Sequence, residues 1–287
     1  MVKILAAGGF GNQLFIWSQA HAMVERTGRR IEIFYVKDRS SKPSELNLLV
    51  SLVPFCHHNI KVKKSNLLGL YLRIYDKLIS LGFGKSSLFK KVFKIISAED
   101  ISIIPNLPEN KSFVLRGFFQ NYELVDFVWK NISDEILKFL DTIIFPPILE
   151  NIISPLQVVH VRRGDYNLVK SEFGILSLDY FKENLLRDFN SIICTDEEDD
   201  IQAISNHLNI EKIFSSQLLD TVQTFKLMIM SDRLIISNST FSWWAGFFVA
   251  RSGGTVIYPV PWFIREKLGN NNLQNPDFIK AAAKFES

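Results

Sequence analysis

Val158-Val159-His160-Val161-Arg162-Arg163-Gly164-Asp165-Tyr166 is an apolar run that stops at two arginines, a glycine and an aspartate. Beginning at Leu156, it reads as a buried strand whose end delivers charge to the edge of a sheet. The segments after it keep alternating. Helix is expected over Leu178 to Phe189, strand over Ser191 to Thr195, helix over Asp199 to His207 and strand over Lys212 to Phe214. Helix follows over Leu219 to Ser231, strand over Leu234 to Ser237, helix over Phe241 to Arg251 and strand over Thr255 to Tyr258. Strands alternating with helices of about ten residues specify a parallel sheet with right-handed crossovers. Such sheets bind ligands beyond the carboxyl ends of their strands, which is where Arg162 and Arg163 stand.

The first half opens the same way. Val2 to Ala6 reads as a strand, followed by a glycine turn and an apolar helix from about Gln13 to Arg26. Gly28 suits the C-terminal stop of that helix, and Ile31 to Val36 is a second strand. Residues 40–110 are less regular, with Pro105 and Pro108 marking loops, and Ser112 to Leu115 is a further strand. The pair Pro146-Pro147 marks the expected boundary between units 1–147 and 148–287. The expected fold class is α/β, two such units leaving a cleft between them.

Composition narrows the function classes. Hydrophobic residues make up 47% of the 287 and charged residues 22%, which suits a globular enzyme and excludes a disordered tail. No window reaches the roughly 18–20 apolar residues of a spanning helix, and the N-terminus lacks a signal-peptide core. A cytoplasmic location is therefore expected. Cys56 and Cys194 have no metal-ligand spacing, and two reduced thiols are favoured over one long-range disulfide.

Charge is unevenly spread. Residues 61–96 hold nine Lys/Arg against the single acid Asp76, a local +8 in a chain of net +3. The cations alternate with Leu67, Leu70, Ile74, Ile79 and other apolar residues. Two readings stand: a basic amphipathic surface in peripheral contact with anionic membrane, or solvated lysines on core-packed helices. Nucleic acid is not an expected partner, since no recognised binding motif accompanies the charge.

Three segments carry chemistry. In Gly8-Gly9-Phe10-Gly11-Asn12-Gln13 the glycines permit close backbone approach, and the helix N-terminus favours an anion. Leu14 stands where a dinucleotide fingerprint needs Gly or Ala, and no P-loop GK[ST] follows, so a tight turn without a ligand also fits. At Arg162-Arg163 the guanidiniums can hold phosphate oxygens bidentately, or pair with Asp165 to close a loop; both uses are compatible. In Ile236-Ser237-Asn238-Ser239-Thr240-Phe241-Ser242-Trp243-Trp244 a strand runs through a small polar turn into an aromatic helix. Its hydroxyls and amide fit helix capping or a phosphate cradle. Trp243 suits the core or a stacking surface. The acidic run Glu197 to Asp200 reads as a solvated helix start, not a metal site.

Together GGFGNQLF, HVRRGDY and SNSTFSWW closely resemble the bacterial α-1,2-fucosyltransferases of glycosyltransferase family 11. Leu115-Arg116-Gly117-Phe118-Phe119-Gln120-Asn121-Tyr122 is similar to the family's L-x-G-Y-x-Q stretch, with Phe118 for Tyr, and Cys194-Thr195-Asp196-Glu197 to its F-S-D-D. The resemblance covers nearly the whole chain and implies a GT-B architecture, two Rossmann-like domains facing each other across a cleft. It implies inverting transfer of L-fucose from GDP-β-L-fucose to a sugar hydroxyl, without a cofactor or a required metal. The 2-OH of a galactose-type residue would receive the fucose, on an oligosaccharide or lipid-linked glycan.

By the same resemblance Arg162 would meet the donor β-phosphate, with Arg163 supporting the phosphate or the loop. His160 and Asp196 would lie near guanine and ribose, and Ser239, Thr240 and Phe241 along the nucleotide. Gly9, Gly11, Asn12 and Gln13 would stand near fucose and the acceptor. Arg162, Asp165 and Asn12 are the candidate catalytic residues. Asp165, if paired with arginine, would be a poor base, so no general base is assigned. Alternatives are a transferase of another GDP-sugar and a non-catalytic sugar-nucleotide-binding homologue.

Overall fold

Leu156–Val161 is β-branched and apolar enough to be buried at every position, and it forms a central strand of a six-stranded parallel sheet. The computed structural model describes residues 2–6, 8–35, 43–55, 58–83, 95–97, 113–149, 152–265 and 271–286. Val36, Cys56, the four lysines from Lys85 to Lys94, the loops at Pro105 and Pro108, and Ser112 lie outside the described residues. The chain divides into two compact units, Met1–Phe139 and Leu140–Ser287. The division falls in the last turn of a long helix, upstream of Pro146-Pro147.

In unit 1 the elements run β1 Val2–Ala6, α1 Phe10–Thr27, β2 Ile31–Tyr35, α2 Pro43–Leu52, β3 Ile60–Lys64, α3 Asn66–Ser80, β4 Ile95–Ser97, β5 Phe113–Arg116 and α4 Tyr122–Asp141. The five strands are parallel in the order β3-β2-β1-β5-β4. Gly28 ends α1 in the left-handed region (φ 63°), its N–H donating to Val24 O at 2.7 Å, as a C-terminal glycine should. α1 is buried nearly all round, so even its polar residues need partners. Glu135 Oε2 of α4 accepts from Trp17 Nε1 at 3.0 Å and lies 3.0 Å from His21 Nε2, joining the two helices.

α4 is absent from the sequence expectations although its signal is plain. Leu124, Val125, Val128, Ile132, Ile136, Phe139 and Leu140 are buried at helical spacing. β3, α3 and β4 fall in the stretch that the sequence leaves irregular.

Unit 2 continues with β6 Leu156–Val161, α5 Lys170–Phe173, α6 Leu178–Glu183, β7 Asn190–Thr195, α7 Ile201–Leu208, β8 Ile213–Phe214, α8 Thr221–Ile229, β9 Arg233–Ile235, α9 Thr240–Arg251, β10 Thr255–Val260 and β11 Ile279–Ala282. All six strands are parallel, in the order β11-β10-β9-β6-β7-β8. That is the doubly wound Rossmann order, reversing between β6 and β9. Two parallel-sheet, Rossmann-like α/β units are the composition expected of a GT-B protein.

Some expected boundaries shift for local reasons. The helix expected over Leu178 to Phe189 stops at Glu183, where Arg233 Nη2 takes the Asn184 carbonyl at 2.9 Å and Gln157 Oε1 takes the Leu186 N–H at 3.2 Å. α8 starts at Thr221 because Asp220 and Gln223 form a reciprocal capping box. Cys194 is a buried free thiol whose pKa is pushed up to about 12 by burial.

α9 decides what the tryptophans do. Trp243 and Trp244 are both fully buried, and Trp243 Nε1 donates to Leu273 O at 2.8 Å. Trp243 packs against Phe247 and Phe278 and is therefore core, not a stacking surface. Trp243→Ala is expected to destabilise unit 2 by about 3–5 kcal/mol. A urea unfolding midpoint equal to that of the wild type would show that the ring carries no core packing.

Candidate functional site

Each sheet reverses its order at one place, and each reversal carries candidate residues. In unit 2 the reversal lies between β6 and β9, whose register pairs Val158 with Leu234 and Val159 with Ile235. The chain leaving β6 becomes Arg162-Arg163-Gly164, and the chain leaving β9 becomes Ser237-Asn238-Ser239 and then α9. β7, on the other side of β6, ends beside it at Thr195-Asp196. Crossover topology thus collects His160, Arg162, Arg163, Asp165, Asp196, Ser239, Thr240 and Phe241 from three segments at one sheet edge.

Asp196 shapes the arginine loop. Its Oδ1 accepts the backbone N–H groups of Arg163 at 2.8 Å and Gly164 at 3.2 Å. Its Oδ2 lies 3.1 Å from Arg162 Nε. A Cβ on Gly164 would fall 2.6 Å from the same Oδ2, so the carboxylate occupies the space that only glycine leaves. With both oxygens engaged by the loop, Asp196 acts as its anchor.

Arg162 is held from more than one side, and the Arg163 guanidinium is met by a distant carboxylate. Arg162 pairs with Asp165 at 2.8 Å and lies 5.6 Å over the Tyr166 ring. Arg163 Nη2 contacts Glu286 Oε1 from the far end of the chain. Burial lowers the Arg163 pKa, while Glu197 and Asp200 oppose that shift. No sequence signal points to Glu286, because the pairing spans almost the whole second unit.

The loop after β9 is tied to the arginine loop and is unusually buried for polar chain. Tyr166 donates to Asn238 O at 2.9 Å, and Asn238 Nδ2 donates to the carbonyls of Phe173 and Gly174 at 3.1 and 3.2 Å. Ser242 Oγ returns to the carbonyls of Ser237 and Ser239. Ser239 is the N-cap of α9 but makes no side-chain cap bond, so the N–H groups of the first turn are not taken by its hydroxyl. Thr240 and Phe241 open the helix half-buried.

His160 lies 2.9 Å by Nδ1 from Ser237 Oγ, with its ring 5.5 Å from that of Phe241. Burial, and then the Arg162 charge, lower its pKa to about 3. The imidazole is neutral at physiological pH, and the positive charge of the loop resides in the two guanidiniums.

In unit 1 the sheet reverses between β1 and β5, paired from Val2–Phe113 to Ile4–Leu115. Gly8 takes a left-handed φ of 76°, and a Cβ there would strike Asn12 Nδ2 at 2.5 Å. Gly9 is the N-cap of α1, and Gly11 is buried in its first turn. Gln13 Nε2 donates back to Gly8 O at 3.1 Å. Across the reversal, Gln120 Nε2 donates to Asn12 Oδ1 at 2.8 Å. Gln120 stands in the quoted L-x-G-F-x-Q stretch but is not among the expected site residues; its register beside β1 is what reveals it. Phe118 is 38% exposed, while Phe119 turns inward with a φ of 55°.

Three buried polar atoms stand out. Among the described residues, Arg163 Nε, Asn238 Oδ1 and Gln13 Oε1 have no hydrogen-bond partner. They are three of eight such atoms among the described residues, and Arg163 and Asn238 stand on the two loops of the unit 2 edge, where a partner would relieve a cost of about 1–3 kcal/mol each. Among the described residues no group of three His, Cys, Asp or Glu could hold a metal ion. A cavity of about 750 Å³ opens at the opposite, amino edge of the unit 2 sheet, lined by Leu156, Lys182, Arg187, Asn190 and Lys212 among others. It contains none of the candidate residues and lies away from the carboxyl ends where such sheets hold ligands.

Two predictions follow the geometry of this edge. Gly164→Ala forces a methyl into the Asp196 carboxylate and is expected to lower whatever activity is seated at this edge by about a hundredfold through loop displacement. Wild-type activity in a folded Gly164→Ala protein would show that the loop does not need this seating. His160, depressed when folded, favours the unfolded chain below its ordinary pKa of 6.5, so stability is complete above that value and falls as pH drops toward 3. Relative to His160→Asn, the wild type should lose about 2 kcal/mol between pH 7 and pH 5. Parallel pH–stability curves for the two proteins would exclude a buried neutral imidazole.

Residues 1–274 match Glycosyl transferase family 11. An α-1,2-colitosyltransferase of Escherichia coli is 28% identical over 92% of this chain and 93% of its own length. The O-antigen biosynthesis glycosyltransferase WbnK of Escherichia coli is 23% identical over 92% of this chain and 94% of its own. Among solved structures, the fucosyltransferase NodZ from Bradyrhizobium aligns over 87% of this chain and 92% of its own, with 14% identity and a TM-score of 0.48. With a family match spanning nearly its full length and two named glycosyltransferases as relatives, the chain belongs to glycosyltransferase family 11 and is a glycosyltransferase.

Proposed function

We propose that the protein transfers L-fucose from GDP-β-L-fucose to a sugar hydroxyl with inversion, forming an α-1,2 linkage to a galactose-type residue. The observation that carries this is the double-arginine loop, locked by Asp196 at the carboxyl edge of a Rossmann-order sheet beside the N-terminus of α9. Guanidiniums and helix N–H groups are the donors a departing nucleoside diphosphate requires. Arg162 is assigned to the β-phosphate and Arg163 to the same phosphate or its loop. Ser239, Thr240 and Phe241 are assigned to the diphosphate and nucleotide, with His160 and Asp196 behind them.

Leaving-group charge developing in the transition state is stabilised by Arg162 more than the ground state is, which is how a fixed cation accelerates displacement. The reaction is proposed to need neither cofactor nor metal, with these donors neutralising the diphosphate. In unit 1 the amides of Asn12, Gln13 and Gln120, above the turn at Gly9 and Gly11, are assigned to sugar hydroxyls. The unpartnered Gln13 Oε1 is one acceptor ready for a hydroxyl. The donor is a glycan-building sugar nucleotide in either of two forms. The colitosyltransferase named above supports a colitosyl donor as the second reading.

The test is GDP release with excess EDTA, using GDP-fucose and a galactose-terminated acceptor, for wild type and Arg162→Ala. Acceptor-dependent release by the wild type, lowered about 10²–10³-fold by the substitution, is expected. Turnover with GDP-colitose alone would move the donor, and restoration of activity only by added divalent ions would overturn metal independence. Equal rates for Arg162→Ala would remove the arginine from the diphosphate.

A further inference from the structure

α3 is a helix with an apolar face that the described residues of its unit leave exposed. It follows β3 directly and runs from Asn66 to Ser80. Among its described side chains only Leu72 is buried, at 6% exposure, while Leu67, Leu70 and Ile74 are 82%, 54% and 47% exposed. At about 100° per residue these three fall within an arc of about 60°, pointing away from Leu72. Burying Leu72 therefore cannot also bury them. Leu81 and Phe83 are exposed past the end of the helix.

Cations line this surface. Arg73 and Lys77 are exposed and lie on the flank of the Leu70 arc, with Lys61 and Lys64 exposed on the preceding strand. Asp76 is the only acid between residues 60 and 83, and Arg116 holds it at 2.5 Å. Of the basic residues, Lys63 is spent on Glu32 at 2.6 Å. Among the described residues, the result is an apolar stripe bordered by Arg73 and Lys77 with no acidic partner.

We infer that this face of α3 docks the protein on an anionic lipid–water interface. Leucine and isoleucine would enter the acyl boundary while Arg73 and Lys77 meet lipid phosphates from the edge of the stripe. A second copy of the chain suits the face less well, because a symmetric contact would set the same cations against each other. An acidic protein groove would also satisfy the charge, and an absence of binding to anionic vesicles would favour it instead. The inference stands independently of the donor proposed above.

The experiment is flotation of the full chain with phosphatidylcholine vesicles, with and without phosphatidylglycerol, at low and high salt. Binding is expected only with phosphatidylglycerol, weakening at high salt. Leu70→Ser with Ile74→Ser, and separately Arg73→Gln with Lys77→Gln, alter exposed positions and should leave the circular dichroism and thermal midpoint unchanged. The apolar pair should weaken vesicle partitioning about tenfold or more. The basic pair should weaken it about fivefold per cation. Three results would overturn the inference. One is no binding to anionic vesicles at low salt. Another is loss on removing the cations but not the apolar pair, which is simple adsorption of charge. The third is a sedimentation change showing that the face joins two copies instead.

Discussion

Two arginines in succession at the end of a buried strand repel each other and resist burial, so something must hold them in one arrangement. The Asp196 carboxylate does this from the adjoining strand. It takes two consecutive backbone N–H groups of the loop and one guanidinium edge. Because β6 and β7 are hydrogen-bonded in register up to Val161–Thr195, the anchor and the loop are fixed to each other by the sheet itself. Gly164 follows from the same constraint, since the space beside its Cα is filled by the carboxylate. Tyr166 then reaches the Asn238 carbonyl, and the order imposed on one loop passes to the next.

The two units repeat one solution with different chemistry. In both, the candidate residues gather where the strand order reverses and neighbouring loops diverge, leaving room above the carboxyl ends. Unit 2 fills its reversal with guanidiniums and a helix N-terminus, groups suited to an anion. Unit 1 fills its own with carboxamides, Asn12, Gln13 and Gln120, which donate and accept without net charge and suit hydroxyls. On the proposed chemistry, the charged reversal suits the diphosphate that leaves and the neutral one suits the sugar hydroxyls.

Much of this is legible in the sequence, and the legible parts share a cause. β6, β7, α8, β9, α9 and β10 announce themselves because burial on both sheet faces demands continuous apolar runs, and crossover helices demand the 3.6-residue period. The loop residues are legible because two arginines or three glycines at a strand end have few structural uses. What escaped are the pairings made by tertiary structure. Glu286 reaches Arg163 across the second unit, Gln120 meets Asn12 only through the β1–β5 register, and β11 is an exposed edge strand with little apolar signal. Trp243 could not be placed by helical phase, because α9 is buried all round and has no solvent face to set its orientation.

The pairing pattern also bears on how a displacement at this edge would be driven. Asp196 is spent on loop N–H groups, Asp165 is bound to Arg162, and His160 is neutral and turned to Ser237. None of the three is poised to take a proton from an incoming hydroxyl. The arginines, by contrast, are held by carboxylates of their own unit, so little reorganisation is needed when charge develops on a leaving diphosphate. On the proposed chemistry the barrier is therefore lowered chiefly on the leaving-group side. On the same proposal the acceptor would be oriented by neutral amides, and its proton would leave late, to solvent or to the released diphosphate, once the sugar has become electron-poor.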